Sequence, residues 1–257
     1  MFYPSLASAN LPITVLKFGG SVLAGPDALS DVVSEIERTV RLGRRVVTVT
    51  SAFAGVTSRL LQKARERFRA PAEKSLAGLL ATGESRSAAF VSLALDDAGI
   101  RNELLDPDRI KFRVRGAWLD AEPIEVDSGV LEKALMGAPV IVLPGFFGRR
   151  RDGSYALLGR GGSDLTALFI AERLGACDCR LIKDVDGLFN RDPATGSHEL
   201  RPFAVASFLE LSALGGGLVQ AKAIDFAKAH GLAFTIATLG SDKGTLIGPQ
   251  PEAAVRS

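Results

Sequence analysis

Ile13-Thr14-Val15-Leu16-Lys17-Phe18-Gly19-Gly20-Ser21 is a short apolar and β-branched run that ends in a lysine and a pair of glycines. Four such residues without polar alternation read as a strand buried on both faces, the kind found in a parallel sheet with helices on each side. At its end Lys17 supplies a cation, while Gly19 and Gly20 let backbone amides approach a charged ligand with no Cβ in the way. Two amides can hold a γ-phosphate while the lysine offsets charge on the bridging oxygens, which is what phosphoryl transfer asks of a protein. The bland alternative for this stretch is a strand end with a surface lysine. No G-x-x-x-x-G-K-[ST] run occurs anywhere, which excludes a P-loop.

Working outward, Leu29, Val32, Val33, Ile36 and Val40 recur at helical spacing and predict a helix over about residues 27 to 42, followed by a second strand at Val46–Thr50. Further strands are expected at Pro139–Leu143, Arg180–Lys183 and Ala233–Ala237, with helices at about 74 to 98, 163 to 175 and 217 to 230. This alternation predicts an α/β three-layer sandwich, a mostly parallel central sheet covered by helices on both faces. A hairpin over Gly148–Leu158 interrupts it, with Asp152-Gly153 as a type I′ turn signal and Arg149-Arg150-Arg151 as a solvated tip.

In an open α/β sheet, ligands bind beyond the carboxyl ends of the strands. Four motifs fall there: Lys17-Gly19-Gly20, Ser51–Thr57, Pro144–Phe146 and Asp184–Gly187. A fifth, Gly159-Arg160-Gly161-Gly162-Ser163-Asp164, precedes an apolar helix from about Leu165. It combines close-approach glycines, a planar guanidinium fork and a helix N-terminus, all suited to an anion.

Composition sets looser bounds. The chain has 257 residues, 47% of them hydrophobic and 23% charged, enough for a substantial core as one large domain or two lobes. A net charge of +2 gives no electrostatic reason to expect nucleic acid or a membrane surface as partner. The two cysteines, Cys177 and Cys179, and the two histidines, His198 and His230, lack metal-ligand spacing, so no protein-held metal site is expected and no disulfide framework. With no signal-peptide pattern and no long apolar run, a soluble protein of the cytoplasm is the default expectation.

Lys17–Ser21, Ser51–Thr57, Gly83-Glu84-Ser85-Arg86-Ser87-Ala88, Pro144–Phe146, Leu158–Asp164 and Asp184–Gly187 together, in order and rough spacing over about residues 12 to 240, resemble the successive motifs of the amino acid kinase family, and within it the aspartate kinases. The resemblance implies the carbamate kinase-like fold as a single kinase domain over residues 1–257, with a substrate lobe at about 12–160 and a nucleotide lobe at about 161–248. It implies ATP and Mg²⁺ as cofactors, a homodimer, a place in amino-acid biosynthesis, and phosphorylation of the side-chain carboxylate of aspartate or a close analogue. Lys17 and Asp164 would be the catalytic pair, Asp164 positioning Lys17 rather than acting as a base. Arg160 would grip the α-carboxylate and Glu84 the ammonium group, with Ser51, Thr57, Phe146 and Ser163 completing that pocket. Gly19, Gly20, Ser21, Lys183, Asp184, Phe189, Asp192, Gly216 and Gly217 would serve the nucleotide.

The nucleotide side departs from the family. Aspartate kinases usually have threonine, tyrosine and arginine where Lys183, Phe189 and Ala194 stand, a phosphate-binding lysine where Gly217 stands, and His-Pro where Gln220-Ala221 stand. Two missing cations call for compensation, and Lys183, Arg191 and Lys222 are the candidates, with Gly215–Gly217 offering backbone amides. Regulatory domains that sense end products are not expected in this chain. A different small acceptor, or a catalytically weak binding or regulatory subunit, are the alternative readings.

Overall fold

The computed structural model describes residues 11–190, 202–214 and 217–249. The opening strand, β1 (Ile13–Phe18), lies between β2 (Arg45–Thr50) and β9 (Asp178–Ile182), parallel to both, with Val15 facing Val47 on one side and Cys179 on the other. The full order is β10-β12-β11-β9-β1-β2-β6-β3, completed by β3 (Asn102–Leu104), β6 (Val140–Pro144), β10 (Val205–Ser207), β11 (Phe234–Ala237) and β12 (Thr245–Gly248). Only the β11–β12 pairing is antiparallel. Strands from the first part of the chain run from β1 outward in one direction and later strands from β9 in the other, so β1 and β9 flank a topological switch point, where a ligand crevice is expected.

The period-2 geometry of β1 sends Leu16 and Phe18 to one face and Val15 and Lys17 to the other. The first face packs against α1 (Leu29–Arg41) and α3 (Glu73–Asp97) through Val32, Ile36, Val91 and Leu95. The second packs against α4 (Ser128–Gly137), α5 (Gly162–Leu174), α6 (Phe208–Leu214) and α7 (Ala221–Ala229). Every residue of α5 from Gly162 to Ala171 is buried, because it runs between the sheet and further layers, with Phe169 meeting Phe112 edge-on and Phe226 at a tilt. A helix wrapped in this way reads apolar all round, as its sequence does. Truncating Phe169 would cost about 3–5 kcal/mol.

The expected hairpin is present as β7 (Phe147–Arg149) and β8 (Tyr155–Leu157), but it belongs to a second sheet, β5-β4-β7-β8, with β4 (Arg113–Gly116) and β5 (Ala121–Glu125). Its turn is not type I′. Gly153 alone takes a left-handed φ of 79°, its N–H bonds the Arg150 carbonyl at 3.0 Å, and the Asp152 carboxylate accepts from the Ser154 N–H at 2.9 Å, giving a type I turn closed by a left-handed glycine. Of the basic run only Arg151 is exposed at the tip; the other two are held. Arg149 stacks on Tyr155, 3.7 Å from the ring centroid, and pairs with Asp108, while Arg150 lies over Trp118 and donates to the Gly116 carbonyl. Two of the other helices differ from expectation at their starts: Pro26–Ala28 forms a 3₁₀ turn before α1, and α7 begins at Ala221 because Gly217 has φ 86° and Gln220 is extended. An unforeseen α2 (Val56–Arg67) follows β2. Among the described residues no helix is long and apolar enough to cross a membrane.

Candidate active site

The registers place the ends of β1, β2, β6 and β9 on one rim, Thr50 facing Pro144 and Phe18 facing both Thr50 and Ile182. A cavity of about 830 Å³ opens above them. Its wall takes in Lys17, Gly20 and Ser21 after β1, Ser51 and Thr57 after β2, and Glu84 from α3. Phe146, Arg160, Ser163 and Asp164 line it from the β6 and α5 side, with Lys183 at the end of β9 and Gly217 opposite. Gly19 sits just behind, its N–H on the Ile182 carbonyl at 3.3 Å and its Cα so placed that a Cβ would stand 3.4 Å from Lys17 Nζ.

The floor is an ion cluster. Lys17 Nζ lies 2.7 Å from one carboxylate oxygen of Asp164 and Lys183 Nζ 2.7 Å from the other, all three side chains nearly buried. Burial opposes ionisation of Asp164, but Lys17 and then Lys183 reverse that and hold its pKa below the ordinary carboxylate value. Burial brings Lys17 down to about 8, against the opposing pull of Asp164 and with a further push from the neighbouring Lys183 charge.

Glu84 is the opposite case. It is 3% exposed, Oε1 accepts from the Ala52 N–H at 3.3 Å, and Oε2 has no partner. Burial without a cation raises its pKa to about 8. One turn along α3, Ser87 Oγ donates to the Ser51 carbonyl at 2.6 Å and ties the helix to the β2 end. Arg160 faces the same cavity, exposed, and among the described residues no carboxylate pairs with it.

The two glycines that open α5, Gly161 at its cap and Gly162 as its first residue, are there for different reasons. Gly161 has φ 72° and a Cβ on it would fall 2.6 Å from Gln220 Cβ. Gly162 has ordinary helical backbone, but a Cβ would meet Leu158 at 2.8 Å and Phe146 at 2.9 Å. Phe146 itself is left-handed at φ 74°, a conformation that costs a non-glycine residue about 1–2 kcal/mol. Thr166 holds it there: its Oγ accepts from the Phe146 N–H at 3.1 Å and donates to the Gly162 carbonyl at 2.8 Å. The sequence reading missed Thr166, whose only signal is its position one helical turn after Gly162.

The nucleotide side is assembled less completely. Asp184 is exposed and accepts from Ser21 Oγ at 3.2 Å, and Phe189 forms an isolated bridge with Pro202; neither lines the cavity. Asp192 and Gly216, with Arg191, Ala194 and Gly215, lie outside the described residues. Lys222 is not a free phosphate cation: its Nζ bonds Asp120 and the Ala121 carbonyl, both at 2.7 Å, and so fastens α7 to the second sheet. Among the described residues no three His, Cys, Asp or Glu side chains cluster as metal ligands.

A model of the amino acid kinase family matches residues 12–237. The aspartokinase of Mycobacterium bovis is 32% identical over 241 residues, 92% of this chain and 57% of that protein. The aspartokinase of Thermus thermophilus is 30% identical over 240 residues, 92% of this chain and 59% of its own. The chain thus spans a little over half the length of these curated relatives. Among solved structures, aspartate kinase from Synechocystis superposes with a TM-score of 0.78 at 28% identity, covering 95% of this chain and 41% of that one. E. coli aspartokinase III in complex with aspartate and ADP gives 0.79 at 23% identity, covering 93% and 65%, a likeness of fold.

Proposed function

This chain belongs to the amino acid kinase family, and from that premise we propose that it transfers the γ-phosphoryl group of ATP to the side-chain carboxylate of aspartate or a close amino acid analogue. One carboxylate oxygen of the acceptor bonds to the γ-phosphorus, the bond to the β–γ bridging oxygen breaks, and ADP leaves with that electron pair. No proton moves, because the accepting carboxylate is ionised at neutral pH. Asp164 has no role as a base: both of its oxygens are committed to lysines. It keeps Lys17 aimed at the rim, where that cation offsets the charge developing on the transferred group.

The observation that carries this reading is the buried, unpartnered Oε2 of Glu84 in the same cavity as Arg160 and the lysine cluster. A zwitterionic amino acid brings the ammonium that Glu84 lacks and the carboxylate that Arg160 lacks, while a half-paired buried zwitterion would cost several kcal/mol. An acceptor without an amino group would leave Glu84 unpaired. A purely binding subunit has no use for two lysines converging on a desolvated aspartate.

Hydroxylamine trapping tests the proposal, since it converts an acyl phosphate to a coloured hydroxamate. With ATP, Mg²⁺ and aspartate, hydroxamate should accumulate in the parent protein and not in Lys17→Ala. Absence of hydroxamate with aspartate, glutamate and their N-acetyl derivatives, in a protein that hydrolyses no ATP, would refute it.

A further inference from the structure

We propose that Lys183 is the second phosphate-contacting cation of this site, placed on the sheet floor beside Lys17 and sharing Asp164 with it. The inference rests on the phosphoryl-transfer reading above. Of the three candidate cations, Lys222 does not line the cavity and is fastened to the second sheet, and Arg191 lies outside the described residues. Lys183 lines the cavity, 11% exposed at its side chain, with Nζ 2.7 Å from Asp164 Oδ2.

Its placement has a physical logic. The β9 end is held by the Lys183 N–H on the Ala237 carbonyl at 2.8 Å, so the side chain starts from a fixed strand terminus. Asp164 gives one oxygen to each lysine, and two cations around one anion leave the cluster with net positive charge. Lysines that merely stabilised the fold would need no surplus, whereas terminal phosphates facing the cluster need one. Gly217, which also lines the cavity at φ 86°, can present only backbone. The grip on the phosphates therefore comes from two strand ends flanking the switch point, β1 through Lys17 and β9 through Lys183.

The test is calorimetric binding, without acceptor, of a non-hydrolysable ATP analogue and of adenosine to the parent, Lys183→Met and Lys183→Arg, each checked for folding by thermal denaturation. Lys183→Met should bind the analogue roughly 10- to 100-fold more weakly, the loss expected of one charge-assisted phosphate contact, with adenosine affinity unchanged. Lys183→Arg, which keeps the charge, should fall within a few-fold of the parent. Unchanged analogue affinity in Lys183→Met would overturn the inference, as would equal losses in Met and Arg, or a parallel loss of adenosine. Failure of aspartate as acceptor leaves this readout intact; a parent that binds no analogue removes both proposals.

Discussion

Glu84 and Asp164 are buried to the same extent, each 3% exposed, in the wall of one cavity, and they behave in opposite ways. Desolvation pushes both toward the neutral acid. At Asp164 two lysines overcome it, and the carboxylate stays ionised with one lysine 2.7 Å from each oxygen. At Glu84 nothing does, and its pKa rises to about 8 with one oxygen idle. A carboxylate paired within the protein organises the site; one left unpaired in a dry pocket is completed by what binds. Pairs of titratable groups driven apart by their surroundings are how acid–base roles are divided in active sites.

The comparison breaks most visibly at Asp164. Asp164→Asn keeps the shape but leaves Lys17 and Lys183 facing each other without a counter-charge. Turnover should fall about 100-fold or more, and chemical denaturation should report a loss of about 3 kcal/mol. If the variant were as stable as the parent, the cluster would not be the ion triad described.

Glu84→Gln should act on binding. The acceptor KM should rise about 100-fold with kcat changed far less, as expected where uniform binding is removed. Its stability should move the other way with pH. The folded-state pKa of about 8 exceeds the ordinary 4.5, so the Glu84 contribution is full below about pH 4.5 and is lost as pH rises through about 8. Thermal denaturation of variant and parent should diverge in the variant's favour between about pH 5 and pH 8.

A finer test is the pH profile. Glu84 must be ionised to take an ammonium, above about 8 in the empty site, and Lys17 must be protonated to face phosphate, below about 8. The profile of kcat/KM should be a narrow bell near pH 8, and that of kcat broader, because bound ammonium lowers Glu84 and bound phosphate raises Lys17. A flat kcat/KM between pH 6 and 9 would contradict both assignments. The smallest effect is expected from Thr166→Val, which removes the acceptor for the strained Phe146 N–H. About 1 kcal/mol should be lost, a fall in Tm of roughly 2–4 °C, with a few-fold rise in acceptor KM.

What the sequence made legible follows the same division. Val- and Ile-rich runs such as Val46–Thr50 announce strands buried on both faces, and the residues just beyond them had to meet on one rim once the strands were parallel. Ser51, Thr57 and Phe146 stand just beyond such strands, and the structure brings them into the wall of one cavity with Glu84 of α3 and with Arg160 and Ser163 at the start of α5. β3, β4, β5 and β10 escaped because they are three to five residues long and carry residues such as Glu103, Arg115 and Glu122, so pairing, not composition, makes them strands. Lys222 and Lys183 are indistinguishable as phosphate candidates until packing shows one tied to Asp120 and the other to Asp164. The left-handed Phe146 leaves no trace in composition, since its conformation is imposed by Thr166 from another element.

The switch point between β1 and β9 also dictates when the site comes into being as the chain folds. Lys17 belongs to the first strand made, yet its counter-ion on α5 and its companion cation after β9 arrive from far along the chain. With the early strands alone paired, Lys17 would stand on a face that α5 has not yet covered, in water and without its counter-ion. Docking of α5 supplies that counter-charge and pairing of β9 beside β1 brings the second lysine, so the ion cluster exists only once these sequence-distant contacts are made together.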